Sequence, residues 1–290
     1  MKFILYDDVK AFYRDTIDVL MRHEAQNLIA LGNIMIGKSG LDKTDWRDPA
    51  YWLMAVVSDD SGVRLTAIMT PPHNIALYAT DNIIDDAALK CLVNGINQTS
   101  YIIDGVISEK ALAVKFAEAY CNVGDLGYKV SQNQRIYELT QVNPEILSIG
   151  ELRSARDADM SFLPFWIEGF AHDCFNDQSN PMSNEGRYRY EIQYAKRYIL
   201  EYMGTAVSMA RAHREMMTVC GIGGVYTPPY FRGKGYATSC VAALSRLVLA
   251  RGFKKCVLYT DLANPVSNSI YQKIGYVPIC DSVMISFIRY

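Results

Sequence analysis

One short segment, YTPPYFRGKGYA at residues 226–237, limits what the second half of the chain can fold into. The apolar run before it contains three glycines: Gly221, Gly223 and Gly224. Glycine weakens a strand interior, so glycines here indicate that something approaches the backbone closely. Pro228 and Pro229 then remove two backbone donors and end the strand. The chain must therefore pass from a strand into a turn at this point.

A helix follows this turn directly. Its apolar residues recur with helical spacing: Ala237, Val241, Leu244 and Val248. The turn RGKG at residues 232–235 therefore stands at a helix N-terminus, where free N–H groups and the helix dipole favour an anion. Arg232 and Lys234 add two full positive charges. The turn predicts a phosphate site, and an ordinary glycine turn with two solvated cations is the alternative.

A second segment, KCVLYTD, has the pattern of a buried strand, and NPVSNSIYQKIGY follows it with the pattern of a capped helix. Asn264 can cap this helix with Pro265 at its first position, and Gly275 can end it. Tyr271 lies seven residues beyond Asn264, about two turns along the same face. A strand, a capped helix and a tyrosine on that helix thus follow the glycine turn in order.

Together the two segments resemble the GNAT superfamily of acyl-CoA-dependent N-acetyltransferases. The cofactor-loop pattern of that family, Arg/Gln-x-x-Gly-x-Gly/Ala, is similar to residues 232–237. A later pattern of the family consists of Asn-x-x-Ala, then a Tyr, then Gly-Phe/Tyr. It is similar to Asn264, Ser267, Tyr271, Gly275 and Tyr276 of this chain, where Ser267 stands in place of the alanine. The resemblance covers residues from about 205 to 290. Within the family, the chain most resembles the bacterial two-domain branch, whose members carry YTPPxxRGxGYA and TDLANPxSN motifs.

The resemblance implies a set of site residues. In the family, two neighbouring parallel strands splay apart, and the pantetheine arm of acyl-CoA lies between them. The resemblance implies that Val225 and Thr227 offer backbone groups to this arm and to the acetyl carbonyl. It assigns the rest of the cofactor contacts to the turn and the second helix: Arg232, Gly233, Lys234, Gly235, Tyr236, Ala237 and Asn264. Tyr271 matches the general acid of the family, and a packed helix tyrosine is the alternative.

The sequence leaves the general base and the acceptor open. Glu215 and Asp261 are candidates for the base, and a water chain is the alternative. Asp177 and Glu185 flank the polar stretch NDQSNPMSNEG, where they could hold a cationic amine or simply lie in a solvated loop.

The chain has 290 residues, of which 50% are hydrophobic, and is long enough for two domains. Strand and helix patterns alternate throughout, so we predict two mixed α/β domains, at residues 1–145 and 146–290. The second is expected to have the GNAT fold with a central mixed sheet. The first carries no cofactor motif and is interpreted, by analogy with two-domain members, as a degenerate GNAT-like domain.

Four segments carry more local expectations. Helical periodicity covers about residues 8–31, and YIIDGVIS at residues 101–108 has the pattern of a buried strand. HDC at residues 172–174 is interpreted as a helix end rather than a catalytic trio. The last segment, VMISFIRY, either pairs between subunits of a homo-oligomer as an edge strand or closes its own sheet.

Charge and cysteine usage limit the partners and the compartment. A net charge of −2 and a pI near 6.1 show no basic excess that would favour nucleic acid or an anionic membrane. The N-terminus has the pattern of neither a signal peptide nor a membrane span. Seven scattered cysteines without Cys-x-x-Cys favour a reduced, cytoplasmic setting, and no metal site is expected.

The sequence therefore predicts an acetyl-CoA-dependent N-acetyltransferase that acts on a primary amine of a small molecule, peptide or protein. Two alternatives remain: a non-catalytic sensor that binds acyl-CoA, and an acyltransferase that uses another acyl-CoA. Tyr271 and the glycine-rich strand favour the enzyme.

Overall fold

The structure is a computed structural model and describes residues 1–39, 48–176, 180–181 and 184–290. The chain divides into two compact units. The first unit consists of Met1–Ile136, Thr260–Ala263 and Ile279–Tyr290, and the second of Tyr137–Tyr259 and Asn264–Pro278. None of the described helices is long and apolar enough to cross a membrane.

Strands and helices alternate along the whole chain. The elements up to residue 139 are β1 (Lys2–Tyr6), α1 (Val9–Met21), α2 (Leu28–Ser39), β2 (Leu53–Asp59), β3 (Gly62–Met69), β4 (Ile75–Ala79), α3 (Asp86–Asn97), β5 (Gly105–Glu109), α4 (Lys110–Gly124) and β6 (Gly127–Leu139). The later elements are β7 (Glu151–Ser154), α5 (Leu163–Phe175), α6 (Glu185–Gln193), β8 (Arg197–Tyr202), β9 (Thr205–His213), β10 (Val219–Tyr226), α7 (Tyr236–Ala250), β11 (Lys255–Asp261), α8 (Pro265–Ile274) and β12 (Val277–Ile288).

The sheet of the first unit has the strand order β1-β2-β3-β4-β5-β12-β6. Its strands pair antiparallel from β1 to β4, while β4 and β5 run parallel. Alternate residues of each strand point to opposite faces. Leu77 and Ala79 of β4 thus join the buried cluster with α3 and α4, whereas Tyr78 between them hydrogen-bonds to His23 beyond the end of α1. Helices therefore cover both faces of this sheet.

The helical periodicity of residues 8–31 is interrupted in the structure. Asp8 caps α1 by accepting hydrogen bonds from the N–H groups of Lys10 and Ala11, but α1 ends at Met21 and α2 begins only at Leu28. Asn27 Nδ2 donates to the carbonyl oxygen of Leu20 at 2.9 Å. This side chain satisfies a carbonyl of the last turn of α1, which is how a helix end is stabilised without a further turn.

The sheet of the second unit has the strand order β11-β10-β9-β8-β7. β10 and β11 are parallel, and the other neighbours are antiparallel. On one face α7 and α8 bury a cluster that includes Cys240, Val241, Leu244 and Val248 of α7. On the other face α5 packs against Ile199 and Met209 through a smaller cluster. The predicted mixed α/β class is confirmed.

The C-terminal strand lies inside a sheet rather than at its edge. Residues 282–286 of β12 pair antiparallel with residues 105–109 of β5, and β6 lies on the other side of β12. Of the two alternatives for VMISFIRY, the strand thus closes a sheet of its own chain. It belongs to the first unit, although it is encoded last. The predicted domains, residues 1–145 and 146–290, stay a prediction, because compact units of this kind need not coincide with domains.

The strand expected over residues 101–108 is shorter than predicted. β5 begins only at Gly105, and the side chain of Ile102 is 67% exposed. The expectation was wrong for residues 101–104, because the apolar run spans an approach segment as well as the strand. The helix end expected at residues 172–174 is confirmed, since α5 ends at Phe175.

The close pairing of β5 with β12 makes a testable prediction at Gly105. A Cβ at this position would lie 2.2 Å from the carbonyl oxygen of Ile285, which is main chain and cannot move aside. Gly105→Ala should therefore lower the free energy of unfolding by about 2 kcal/mol, as overpacking does elsewhere. The measurement is chemical denaturation followed by circular dichroism.

Gly186 supplies the matched control. A Cβ there would meet no atom within 4 Å, and the residue lies in α6. Gly186→Ala should leave stability unchanged or raise it by about 0.5 kcal/mol. If both variants were equally stable, the pairing of β5 with β12 would be wrong.

Candidate functional site

Two parallel strands separate at the centre of the second unit. β10 and β11 pair through three successive residues only, from Val219 opposite Lys255 to Gly221 opposite Val257. Beyond this point β10 continues to Tyr226, and β11 also continues, but no further pairing joins them in this described stretch. The N–H and C=O groups on that edge of residues 222–226 are therefore not used by β11.

The same segment is also irregular on its other side. β10 pairs with β9 at Gly223 opposite Arg211 and again at Tyr226 opposite Met209, so three steps along β10 correspond to two along β9. This extra residue is a β-bulge. Gly224 within it has a φ of +56°, a conformation that glycine adopts easily and other residues rarely do. The backbone of Gly224 and Val225 is thereby turned out of the regular ladder.

The glycines of β10 make room for side chains of the protein itself. A Cβ at Gly223 would lie 2.8 Å from His213 Nε2, and one at Gly224 would lie 2.7 Å from Arg197 Nη1. The sequence interpretation assigned these glycines to the close approach of a ligand. In the structure, charged and polar side chains from β8 and β9 already approach them.

The proline pair ends β10 as predicted. The strand stops at Tyr226, and a single 3₁₀ turn covers Pro229–Phe231. Two hydrogen bonds fix Thr227. Its hydroxyl hydrogen-bonds to Ser208 Oγ at 2.9 Å, and its carbonyl oxygen accepts from Arg232 Nε at 2.9 Å. The chain is therefore fixed where it leaves the sheet.

The glycine turn that follows is open to solvent. Gly233 and Gly235 have φ values of +78° and +81°, which explains glycine at both positions. A Cβ at Gly233 would meet no atom within 4 Å, and one at Gly235 would meet Ile149 Cδ1 at 3.5 Å. These glycines are thus required by conformation, while the space beside them is free.

This turn leads directly into α7, which begins at Tyr236 as predicted. No described side chain caps the helix, and its N-cap residue is Gly235. The first N–H groups of an uncapped helix have no acceptor within the helix, and the positive end of its dipole lies there. With Arg232 and Lys234 beside it, this helix start has the donor groups and the charge that an anion such as a phosphate requires.

Arg232 already has a partner in α5. Its Nη2 lies 2.6 Å from Asp173 Oδ2, and its guanidinium stands 5.6 Å from the centre of the Tyr226 ring. The two charged side chains are 49% and 41% exposed. An ion pair this exposed contributes about 0–1 kcal/mol, so Arg232 can exchange this partner for an anion at little cost.

Asn264 and Tyr271 lie on α8, at its start and in its last turns. Asn264 Oδ1 accepts a hydrogen bond from the N–H of Ser267, Pro265 opens the helix and Gly275 ends it, as predicted. Tyr271 is buried, and its ring packs against Tyr137 and Tyr276. Burial raises the pKa of Tyr271 well above its usual range, and Cys174 raises it further. Its hydroxyl therefore keeps its proton at neutral pH.

A strand that separates from β11 and bulges against β9 is followed by a glycine turn and an uncapped helix. Residues 163–276 match the family model described as "Acetyltransferase (GNAT) family". These residues form a GNAT acetyltransferase domain. The match runs from α5 to Tyr276 and includes β10, the turn and α8.

Solved structures share the fold over the whole chain. A GCN5-related N-acetyltransferase from Sphaerobacter thermophilus aligns with a TM-score of 0.62 at 14% identity, covering 99% of this chain and 96% of its own. A GNAT-family acetyltransferase from Colwellia psychrerythraea aligns at 0.57 and 11% identity over 100% of both chains. A Drosophila protein aligns at 0.65 and 12% identity over 99% and 98%. No curated protein matches by sequence.

The candidate bases lie at different places around the GNAT domain. Glu215 is not on a strand but in the loop after β9, where its Oε2 lies 2.8 Å from Lys196 Nζ. Asp261 is the last residue of β11 and belongs to the first unit, where it accepts hydrogen bonds from Gln132 and from the N–H of Ala263. Glu185 forms an ion pair with Arg189 on α6. Asp177 lies outside the described residues.

A set of charged residues next to β10 was missed by the sequence analysis. Glu191 of α6 is only 1% exposed, and both Nε and Nη2 of Arg197 donate to its Oε2, at 3.0 and 2.5 Å. Arg211, His213 and Arg214 adjoin this pair on β9 and directly after it. The signal was present in ARAHRE at residues 210–215, where charged residues alternate along an otherwise apolar strand. Among the described residues, no group of three or more His, Cys, Asp or Glu could hold a metal ion.

The buried ion pair between Glu191 and Arg197 predicts that a substitution at Glu191 strongly lowers stability. Glu191→Gln should lower the free energy of unfolding at pH 7 by about 3 kcal/mol, because it leaves the buried Arg197 without a carboxylate. Glu185→Gln on the same helix removes an exposed ion pair and should cost less than about 1 kcal/mol. Denaturant unfolding of both variants measures this difference.

The pH dependence of the same variant gives a second readout. Burial would raise the pKa of Glu191, but the charges of Arg197 and Arg211 outweigh it, and the pKa is lowered from 4.5. A lowered pKa stabilises the folded protein above 4.5, and this contribution is lost as the pH falls through the folded value. The wild type should therefore lose stability in acid more steeply than Glu191→Gln. If wild type and Glu191→Gln lost stability equally steeply as the pH falls, the pKa of Glu191 would not be lowered in the folded protein.

Proposed function

We propose that this protein is an acetyl-CoA-dependent N-acetyltransferase that transfers the acetyl group directly to a primary amine. One observation carries the proposal: residues 222–226 of β10 are free of β11 and contain a bulge against β9, and they lead through a cationic glycine turn into an uncapped helix. A free strand edge can pair with an extended chain, and an uncapped helix can bind a phosphate. CoA combines these two chemical features in one molecule.

The residues present fit this cosubstrate. We assign the pantetheine arm to the free edge of β10, with backbone groups of Val225 and Thr227 as its partners. We assign the pyrophosphate to the turn and the start of α7, with Arg232, Gly233, Lys234, Gly235, Tyr236 and Ala237 around it. The conformation of the two turn glycines and the open space beside them support this assignment. Asn264 already caps α8, so its part is to hold that helix in position.

The bound acetyl-CoA supplies a thioester that a neutral amine can attack. We assign to a backbone N–H near Val225 the donation of a hydrogen bond to the acetyl oxygen as negative charge develops on it. A donor fixed by the sheet needs no reorganisation, and such donors contribute about 3–4 kcal/mol in other enzymes. Tyr271 is assigned as the acid that protonates the leaving sulfur, which agrees with a phenol that keeps its proton at neutral pH.

We also propose that the protein acts in the cytoplasm. Its seven cysteines are scattered without a Cys-x-x-Cys pair, and none of them forms a disulfide. Reduced cysteines are typical of a reducing compartment.

The first prediction of this proposal concerns cosubstrate binding. Acetyl-CoA at about 100 times its dissociation constant should stabilise the fold by about 2.7 kcal/mol, seen as a rise in melting temperature. Gly235→Glu should abolish this rise, because it places bulk and negative charge at the helix start. A melt of the wild type that saturating acetyl-CoA leaves unchanged would refute the proposal.

Gly252 provides the control for that variant. It follows the other end of α7, has a φ of +101° and would give a Cβ no neighbour within 4 Å. Gly252→Glu thus introduces the same charge and a similar backbone strain away from the turn. It should lower stability to a similar degree and keep the full shift with acetyl-CoA.

The second prediction concerns Tyr271. Tyr271→Phe should lower kcat by about 10²–10⁴-fold, the usual contribution of general acid catalysis, and leave the thermal shift with acetyl-CoA intact. The ring would still pack against Tyr137 and Tyr276, so the fold should persist. Tyr194→Phe removes a hydroxyl from an exposed ring of the same unit and should leave kcat unchanged. If Tyr271→Phe kept near-normal kcat, the acid would be another group.

An assay of thioester cleavage separates an enzyme from a sensor. Acetyl-CoA alone should be cleaved slowly, and a panel of amines should accelerate the release of free thiol. Binding of acetyl-CoA without acceleration by any amine would favour the sensor. Faster reaction with a longer acyl-CoA would favour an acyltransferase of different donor specificity.

A further inference from the structure

Four basic side chains gather beside the bulge of β10, and we call them the arginine cluster: Arg197, Arg211, His213 and Arg214. Arg197 and His213 reach the bulged segment itself. Arg197 Nη1 donates to the carbonyl oxygen of Gly224 at 3.4 Å, and His213 Nε2 lies 2.8 Å from the position of a Cβ on Gly223. The cluster therefore adjoins the strand segment to which we assign the acetyl group.

Glu191 is the carboxylate next to the arginine cluster, and Arg197 already uses one of its two oxygens. Oε2 of Glu191 accepts two hydrogen bonds from Arg197. Its Oε1 lies 3.2 Å from Arg211 Nε and 3.5 Å from Arg187 Nε, and Arg187 is half-exposed. Among the described residues, no carboxylate lies within ion-pair distance of Arg214. Positive charge therefore exceeds negative charge around the buried pair of Glu191 and Arg197, while the side chain of Arg211 is 27% exposed. An excess of like charge that is partly removed from water is unfavourable without an anion.

The hydrogen bonds of the cluster are incomplete in the same way. The Nε atoms of Arg211 and Arg214 are both buried and have no hydrogen-bond partner in the described part of the chain. Arg211 approaches Glu191 at an ion-pair distance but does not form a hydrogen bond with it. Buried donors are satisfied in the great majority of native structures, so each orphaned donor needs an explanation. A carboxylate bound edge-on to a guanidinium satisfies Nε together with one Nη.

The pKa values of Arg211, His213 and Arg214 are all lowered. Burial lowers the pKa of Arg211 to about 10, against the effect of Glu191, and Arg197, Arg187 and Arg214 lower it further. Burial and the neighbouring arginines hold the pKa of His213 well below its usual range, so this imidazole is neutral. Its Nδ1 is 3.2 Å from Arg214 Nη1 and can accept a hydrogen bond from it. Nε2 then carries the hydrogen and faces Gly223 as a further donor.

We propose that the acceptor is an amine that also carries a carboxylate, and that Arg211 and Arg214 bind this carboxylate beside Gly223. This inference rests on the proposed acetyl transfer at the same segment. The cluster lies beside Gly223 and Gly224, the two residues that precede Val225, to which we assign the contact with the acetyl group. A carboxylate held there would therefore lie next to the strand segment that holds the reacting carbonyl. A free amino acid, whose amine and carboxylate are joined through one carbon, meets this short separation.

Matched acceptors test the inference directly. Each free amino acid is assayed beside its amide and its decarboxylated amine, for example phenylalanine, phenylalaninamide and phenethylamine. O-phosphoethanolamine and ethanolamine form a separate pair that tests a phosphate in place of the carboxylate. We expect kcat/KM for the amino acid to exceed that of its amide and its amine by at least about tenfold, the contribution of one charge-assisted hydrogen bond.

Arg214→Gln should raise KM for the amino acid by about ten- to a hundred-fold, with KM for acetyl-CoA and its thermal shift unchanged. Arg214→Lys keeps the charge and should retain part of the preference for the carboxylate. Arg189→Gln removes an equal charge from an exposed site on α6 and should behave as the wild type. Far-ultraviolet circular dichroism and melting temperature confirm that each variant is folded.

The results separate this inference from the proposed function. Equal or faster turnover of the decarboxylated amines, or turnover of no amino acid by a protein that binds acetyl-CoA, overturns the inference and leaves cosubstrate binding intact. Faster turnover of O-phosphoethanolamine than of every amino acid overturns the carboxylate in favour of a phosphate. Failure to bind acetyl-CoA at all overturns the proposed function itself.

Discussion

The site depends on one constraint, which is that residues 222–226 of β10 are not paired with β11, while their pairing with β9 is interrupted by a bulge between Gly223 and Tyr226. Release from β11 after Gly221 leaves a free strand edge, and the bulge at Gly224 turns the next peptide groups out of the ladder. Pro228 and Pro229 prevent the strand from continuing, so the chain must turn and start α7 without a cap. In an ordinary sheet, each of these features would leave backbone hydrogen-bonding groups without a partner. Together they leave backbone donors fixed in position and ready for a ligand.

This release is supported from the other face of the sheet. Glu191 of α6 holds Arg197, and Arg197 in turn donates to the carbonyl oxygen of Gly224 in the bulge. Ser208 of β9 fixes the end of β10 through Thr227. Polar contacts thus support the segment with the open edge in addition to its pairing with β9. We propose that the positive charge of Arg211 and Arg214 beside this segment binds the acceptor, which would connect the stability of the segment with its specificity.

The parts of the site that follow from local chemistry could be predicted from the sequence. Asn264, Pro265 and Gly275 set the limits of α8, and the proline pair set the end of β10, because caps and prolines act on adjacent residues. The arginine cluster could not be predicted, since it depends on which residues of β8 and β9 lie opposite Gly223 and Gly224. The location of β12 between β5 and β6 is equally non-local. The reason for the β10 glycines was therefore assigned to the ligand alone, whereas His213 and Arg197 also need that space.

Amide hydrogen exchange, followed by mass spectrometry with and without saturating acetyl-CoA, tests the central claim most directly. The account predicts slower exchange in peptides that cover residues 222–238, where the free edge of β10 and the start of α7 gain acceptors. Peptides from β3 to α3 in the first unit should be unchanged, because that half carries no cofactor motif. Thermal stabilisation by acetyl-CoA without protection of residues 222–238, or with its strongest protection in the first unit, would contradict the account.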